Sequence, residues 1–330
     1  LGVQETFRRG KRGFAGVVGA VRSRARSLGL DLVRPKLTVA AIVALAAVAV
    51  FSAADSGRAR SALAIQNELA FGRVVVIVFE NKSAGEVLDN SAAPTFGRLA
   101  RRYAVLADYV GVAHPSLPNY VGLVSGSTHG ITTDCTDCTV AGRSLADTLE
   151  AAGKSWKTYA EGLPTTGFTG ASSGRYAKKH DPFLYFRNVL ASPARLRRVV
   201  PLSRLSRDLA RDELPDFSLI VPDLCHDMHD CSVAVGDAWL RGFLPQLLQS
   251  PQLRDGVVFV VFDEGPHSDR AGGGGHVPAL VLGPLVRPGS RSSQRLDHYA
   301  LLRTIEDGWK LPRLARSASA PAISGIWRRG

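Results

Sequence analysis

A serine between two prolines, and three acidic clusters that each end an apolar run, are the groups in this sequence that could do chemistry together. Ser116 lies in residues 113–131 (AHPSLPNYVGLVSGSTHGI), flanked by Pro115 and Pro118, after the apolar run 103–112 and before the helix-like run 120–124. That spacing predicts a junction where a strand hands over to a helix. A hydroxyl at a helix N-terminus faces free backbone N–H groups and the positive end of the helix dipole, which suits a nucleophile attacking an anion such as a phosphate ester. The same placement suits a simple N-cap, for which Ser is a favoured residue.

The acidic groups are Glu80 with Asn81 after residues 73–79, Asp223 after 217–221, and Asp263 with Glu264 after 257–262. Any one of these carboxylates would serve as a turn cap. Three at one sheet edge, each ending an apolar run where solvation is poor, need a partner. A hard divalent cation would satisfy them. Glu80, Asn81, Asp263 and Glu264 supply oxygens and Ser116 completes the set; such an ion lowers the hydroxyl's pKa and neutralises phosphate charge. Histidines 114, 180, 226, 229 and 276 lie in the same polar segments. An imidazolium can stabilise charge and protonate a leaving oxygen, although each could equally be a hydrogen-bonded structural residue. The run Gly272 to Gly275 has no following Lys-Ser/Thr and no helix start, so it reads as a flexible hinge delivering His276 rather than a phosphate cradle.

The elements that must position these residues follow from periodicity. Residues 73–79 (RVVVIVF) form a continuous β-branched run, the pattern of a strand buried on both faces of a parallel sheet. Similar runs recur at 105–110, 156–159, 217–221, 257–262 and 279–282, with helical patterns at 95–102, 144–152 and 233–248 between them. Strand and helix alternate, which predicts an α/β three-layer sandwich with a mostly parallel central sheet. In such a sheet, functional groups gather past the C-terminal ends of the strands, where all three acidic clusters fall. Residues 161–215 break the rhythm with Gly-rich and Arg-rich loops and read as an insertion or lid over the site.

Of the formal charge of +12, residues 1–36 carry +7, from nine Lys or Arg against Glu5 and Asp31, which leaves +5 for the rest. The folded part is only mildly basic, so a nucleic-acid partner is not expected. Residues 37–54 (LTVAAIVALAAVAVFSAA) are eighteen uncharged positions at the short limit for a membrane span, ending in a small-residue cleavage site. They read as a secretory signal or an uncleaved anchor; in either case the charge asymmetry places the bulk of the protein outside the cytoplasm. Membrane contact through 37–54 is expected if the segment is uncleaved. Residues 55–70 are a linker, 71–313 the catalytic domain, and 314–330 a basic tail. The four cysteines fit export. An even count favours two disulfides, with Cys135–Cys138 and Cys225–Cys231 the expected pairing of three possible ones; a four-cysteine zinc site competes, but the second pair lacks its spacing.

The string HPSLPNY, with Ser125-Gly126 and His129-Gly130-Ile131 after it, resembles the nucleophile segment of the alkaline phosphatase superfamily. More closely it resembles the bacterial phosphoesterase family of secreted acid phosphatases and phospholipases C. VVIVFENKS (75–83), KHDPF (179–183), VPDLCHDMHD (221–230), and VFVVFDEG with GGGGHVPALVLGP (258–284) continue the likeness in the family's order over residues 70–310. The resemblance implies an alkaline phosphatase-like fold and Ser116 as nucleophile. It implies one divalent metal held by Glu80, Asn81, Ser116, Asp263 and Glu264, with His114, His229 and His276 acting beside it. Asn119, His180, His226 and Asp227 are implied to contact the substrate. Where better-known superfamily members have Asp-His, this chain has Asp263-Glu264, which favours an oxygen-liking ion over zinc.

The expectation is therefore an exported metal-dependent acid phosphatase hydrolysing phosphate monoesters through a phosphoserine. Its partner is a small phosphorylated molecule or a phospholipid head group. A phospholipase C-type phosphodiesterase and a non-catalytic exported phosphate-binding protein are the alternatives. A Ser-His-Asp hydrolase is disfavoured, because the nearest approach to GxSxG, residues 126–130, has Thr128 at its centre.

Overall fold

Val74–Phe79 forms β1, and each of its six side chains is buried, as a two-sided apolar run requires. Burying each such Val, Ile or Phe contributes about 1.5–3 kcal/mol. In the computed structural model, which describes residues 70–328, β1 pairs in parallel with β7 (Phe217–Val221) and β8 (Val257–Phe262). The other strands are β2 (Ala104–Val110), β3 (Trp156–Ala160), β6 (Val199–Pro201), β9 (Ala279–Leu282) and β10 (Arg291–Asp297), with a short hairpin β4–β5 (Ser172–Ser173, Tyr176–Ala177) apart from them. The sheet has eight strands in the order β10-β2-β9-β8-β1-β7-β3-β6. Only β9 runs antiparallel to its neighbours. Residues 1–36, 37–54 and 55–69, where the arm, the apolar segment and the linker are expected, lie outside the described residues, as do 329 and 330. Among the described residues no helix is long and apolar enough to cross a membrane.

Register shows why helices cover both faces. Val74 and Trp156 both sit opposite Phe217, so they share a face, and the Trp156 and Phe217 rings both meet Phe183. Phe79 lies five residues along β1 from Val74 and points to the other face. There it stacks on Phe262 and meets Phe96 of α2 (Pro94–Arg102) and Trp239 of α8 (Val233–Leu248). Asp237 ties that layer together by capping α2, its Oδ1 accepting from Thr95 N and Phe96 N. On the Phe183 face, α3 (Ser116–Ser125) packs against α9 (His298–Gly308) at Gly122, where a Cβ would press on the Tyr299 ring. The result is the α/β sandwich that the alternating pattern predicts.

Residues 161–215, read from the sequence as an insertion or lid, contribute to the sheet and the core. They supply the edge strand β6 and bury Tyr176, His180, Phe183, Tyr185 and Phe186 in one helical layer, so they are part of the core. Residues 314–328, the described part of the basic tail, pack against the domain. Ile323 and Ile326 are buried, Ser317 Oγ donates to Glu306 in α9, and Arg287 N donates to Ile326 O.

Candidate active site

The register of β1 and β8 builds the centre of the site. Phe79 sits opposite Phe262, so the next residues, Glu80 and Asp263, leave the sheet side by side. Asp263 N donates to Phe79 O, and Glu80 N donates to Asp227 O. Asn81 adopts φ 57°, a left-handed conformation that Asn tolerates better than most residues, and its N–H reaches Asp263 Oδ1 at 3.3 Å. Glu80 and Asp263 are both buried. Burial, then the negative charges of Glu80 and Glu264, hold the Asp263 carboxyl well above the usual carboxylate range.

Ser116 opens α3 as its first helical residue, with Pro115 at the cap position, so the serine is not the N-cap. Its Oγ donates to Glu80 Oε2 at 2.9 Å. The preceding loop is fixed by Asn119. Its Oδ1 accepts from Val112 N and Ala113 N, and its Nδ2 donates to Ala113 O and Pro115 O. An amide has two donors and two acceptor positions, and all four are used here. Asn119, expected to contact the substrate, therefore also shapes the nucleophile loop, with all four of these positions engaged on backbone groups. Pro118 lacks an N–H, so the first turn of α3 has few donors to offer; one of them, Leu117 N, donates to Asp134 Oδ1 at 2.9 Å.

His180 completes the buried cluster, stacked on Tyr120 of α3 with ring centroids 5.1 Å apart. Its Nε2 lies 3.1 Å from Glu80 Oε1 and its Nδ1 lies 3.2 Å from Asp227 Oδ2. Burial pulls the His180 pKa down to about 4 and pushes Asp227 up to about 7. These approaches miss hydrogen-bond directions: Glu80 Oε1, His180 Nε2, Asp227 Oδ2 and Asp263 Oδ2 are all buried without a hydrogen-bond partner. Unpaired buried polar atoms are costly, and one ligand atom each from Glu80, His180 and Asp227 falls within 4.8 Å of the others. A carboxylate-rich set with one imidazole fits a divalent cation.

The other histidines divide. His114 Nε2 donates to Asp269 O at 2.8 Å, and its Nδ1 lies 2.6 Å from Glu264 Oε2. Burial pushes Glu264 up to about 8 and pulls His114 down. With both ring nitrogens engaged, His114 orients Glu264 rather than reaching a phosphate. His229 is partly exposed, its Nδ1 on Asp230 and its Nε2 accepting from Lys179 Nζ at 3.1 Å. His226 is drawn aside to Glu161 and Asp223, at the ends of β3 and β7, and stacks on Trp239. Asp223 thus belongs to this second group and not to the Glu80 cluster. His276 has Asp108, Asp269 and Arg295 as its partners, its side chain about half exposed. The structure does not bring it to Glu80 or Ser116.

The glycine run that precedes His276 is not a hinge. Gly274 N donates to Gly111 O, Gly111 N to Gly275 O, and Gly265 N to Gly274 O. A Cβ on Gly111 would stand 2.9 Å from Gly274 O, and one on Gly274 2.8 Å from Gly111 Cα, so these two backbones touch because neither carries a side chain there. Two disulfides, Cys135–Cys138 and Cys225–Cys231, match the expected pairing. His298, Lys179 and Asp134 enter the site without having been expected there.

Residues 80–312 match the Phosphoesterase family. A protein named phosphatidylinositol-3-phosphatase from Mycobacterium tuberculosis is 35% identical over 260 residues, 78% of this chain and 83% of that one. A protein named acid phosphatase from Aspergillus fumigatus is 29% identical over 280 residues, 81% of this chain and 61% of its own, so this chain spans about three fifths of that longer protein. Among solved structures, an alkaline phosphatase superfamily protein from Vibrio parahaemolyticus superposes with a TM-score of 0.54 at 13% identity, over 77% of this chain and 71% of that one. The lipoteichoic acid synthase LtaP from Listeria monocytogenes superposes at 0.52 and 12% identity, over 74% and 73%. These two likenesses speak to the fold alone.

Proposed function

This chain belongs to the Phosphoesterase family, and on that premise we propose that it is a phosphoric ester hydrolase, specifically an exported, metal-dependent phosphomonoesterase working through phosphoserine at residue 116. The observation that carries the reading is the 2.9 Å hydrogen bond from Ser116 Oγ to Glu80 Oε2 at the start of α3. Glu80 holds the hydroxyl proton and fixes Oγ where the helix dipole favours an incoming anion. Ser116 Oγ attacks phosphorus as its proton passes to Glu80, the bond from phosphorus to the alcohol oxygen breaks, and His229, once parted from Lys179 and protonated from solvent to the imidazolium, gives that oxygen a proton. Water then hydrolyses the phosphoserine, releasing inorganic phosphate and restoring Ser116. A divalent cation held by Glu80, Asp227, Asp263, His180 and Ser116, with Asn81 and Glu264 at its edge, would lower the hydroxyl's pKa and neutralise phosphate charge.

The names of the relatives support a monoester substrate, and the mycobacterial one extends this to an inositol phospholipid head group. Two disulfides support an oxidising, extracytoplasmic setting. The test is hydrolysis by the full chain of a phosphomonoester, a phosphodiester and phosphatidylcholine across pH, with and without chelator. Chelator-sensitive cleavage of the monoester is expected. Preference for the diester would point to a phospholipase C, and no turnover of any of the three to a binding protein.

A further inference from the structure

Ser116 is 1% exposed and Glu80 fully buried, so a phosphate ester reaches Oγ only when a neighbouring group moves. Three partly exposed groups beside it, Asp134, Lys179 and His229, are linked through Lys179. Asp134 Oδ1 accepts from Leu117 N at 2.9 Å and its Oδ2 from Lys179 Nζ at 3.0 Å, while Lys179 Nζ lies 3.1 Å from His229 Nε2. One carboxylate therefore bridges an amide at the start of the nucleophile helix and an ammonium group. Two oxygens of a phosphoryl group would seek the same two donors, an N–H at the positive end of a ten-residue helix and a lysine charge.

Two further observations bear on the same place. His180 Nε2, buried and without a hydrogen-bond partner, belongs to the ring that stands 5.9 Å from His229, so the cluster under this bridge has unmet bonding capacity. Asp134 itself sits in residues 127–139, which form neither helix nor strand, and directly precedes the Cys135–Cys138 disulfide. Little regular structure would have to break for its side chain to leave.

We propose that Leu117 N–H and the Lys179 ammonium form the subsite for the phosphoryl oxygens, and that Asp134 is an internal anion that fills this subsite until a phosphate displaces it. The proposal rests on the reading of Ser116 as the nucleophile. Apparent phosphate affinity is then reduced by the fraction of molecules in which Asp134 is seated. A dianionic phosphate competes well because it brings more charge to the same donors, and His229 is released at the same moment from its hydrogen bond with Lys179.

Calorimetric titration of the full chain with inorganic phosphate, at one fixed concentration of divalent cation, tests this without requiring turnover. Asp134→Asn keeps an acceptor for Leu117 N–H but removes the charge facing Lys179, and phosphate should bind about threefold or more tightly. Lys179→Met should weaken phosphate binding about tenfold or more. Unchanged or weaker binding by Asp134→Asn would overturn the proposal. If that variant does not fold, Lys179→Met decides alone, and phosphate binding equal to that of the unaltered chain would overturn it. A chain that hydrolyses no ester yet shows both shifts would keep the subsite and defeat the phosphatase reading.

Discussion

Tyr109 donates its hydroxyl hydrogen to His298 Nδ1 at 3.0 Å, because His298 Nε2 is committed to the Asp263 carbonyl at 2.6 Å. A carbonyl only accepts, so Nε2 carries the hydrogen and Nδ1 is left as the acceptor. Burial lowers the His298 pKa and keeps the ring neutral. A buried imidazole thus ties β2 to the turn that carries Asp263 and Glu264.

Replacing that ring should cost more than removing one of its partners. His298→Ala leaves both the Tyr109 hydroxyl and the Asp263 carbonyl buried without partners, at about 1–3 kcal/mol for each. Tyr109→Phe strands only Nδ1. Denaturant unfolding of the two variants should therefore rank His298→Ala as the less stable by about 1 kcal/mol or more. The opposite order would mean that His298 does not carry the link.

Ser116→Ala should abolish ester hydrolysis while phosphate still binds, because Leu117 N–H and Lys179 remain. Acid quenching of the unaltered chain during turnover should trap phosphate on residue 116, detectable by peptide mass spectrometry. Near-normal rates from Ser116→Ala would remove the serine from the chemistry altogether.

Without a cation, Glu80 and Asp263 repel each other in a buried setting, and the raised Asp263 pKa reflects that repulsion after burial itself. Asp263→Asn should then bind less metal by elemental analysis and lose activity, yet melt at a higher temperature than the unaltered chain in excess chelator. Glu80→Ala should also lose metal and activity. Full metal content in both variants would place the cation elsewhere.

Glu306 in α9 gives a pH dependence well away from the metal cluster. Burial raises its carboxyl to about 7, against the ordinary value of 4.5, although Ser317 Oγ and Leu314 N both donate to it. With the folded pKa above the unfolded one, the native state holds the extra proton between these values. Its stabilising contribution is full below pH 4.5 and is lost as pH rises through about 7. Glu306→Gln, which cannot ionise, should gain stability relative to the unaltered chain at pH 8 and little or none at pH 4. Melting curves at the two pH values check the sign, and an equal difference at both would refute the assignment.

The strands that carry Glu80 and Asp263 are legible in the sequence because a strand buried on both faces is an unbroken apolar run, and the residue after its end is conspicuous by polarity. β10 is hidden for the converse reason. As an edge strand reading RSSQRLD it buries only Ser292 and Leu296, and one of those two is polar. Ser116 is visible through its prolines. Asp134 and Lys179 are not, since a contact between irregular segments 45 residues apart has no periodic signature. Asn119 looks like a substrate ligand in the string SLPNY, and only its four hydrogen bonds show that the loop already uses it. For His298 a local sign existed: Asp297 before it is a helix cap, and a histidine beginning a helix beside a polar strand end invites inspection.

The backbone seam between Gly111 and Gly274 divides the site into a fixed part and a part free to yield. Because Gly111 leads into the serine loop while Gly265 and Gly274 bracket the turn beyond Asp263, the nucleophile and the acidic pair are fastened to one block. A side chain added at Gly111 would act as a wedge, spreading Ser116 from Asp263 without touching either. On the subsite proposed above, the group that would yield to an entering phosphate is the Asp134 side chain, held only through Leu117 N and Lys179, while the seam keeps the serine loop and the acidic turn on one block.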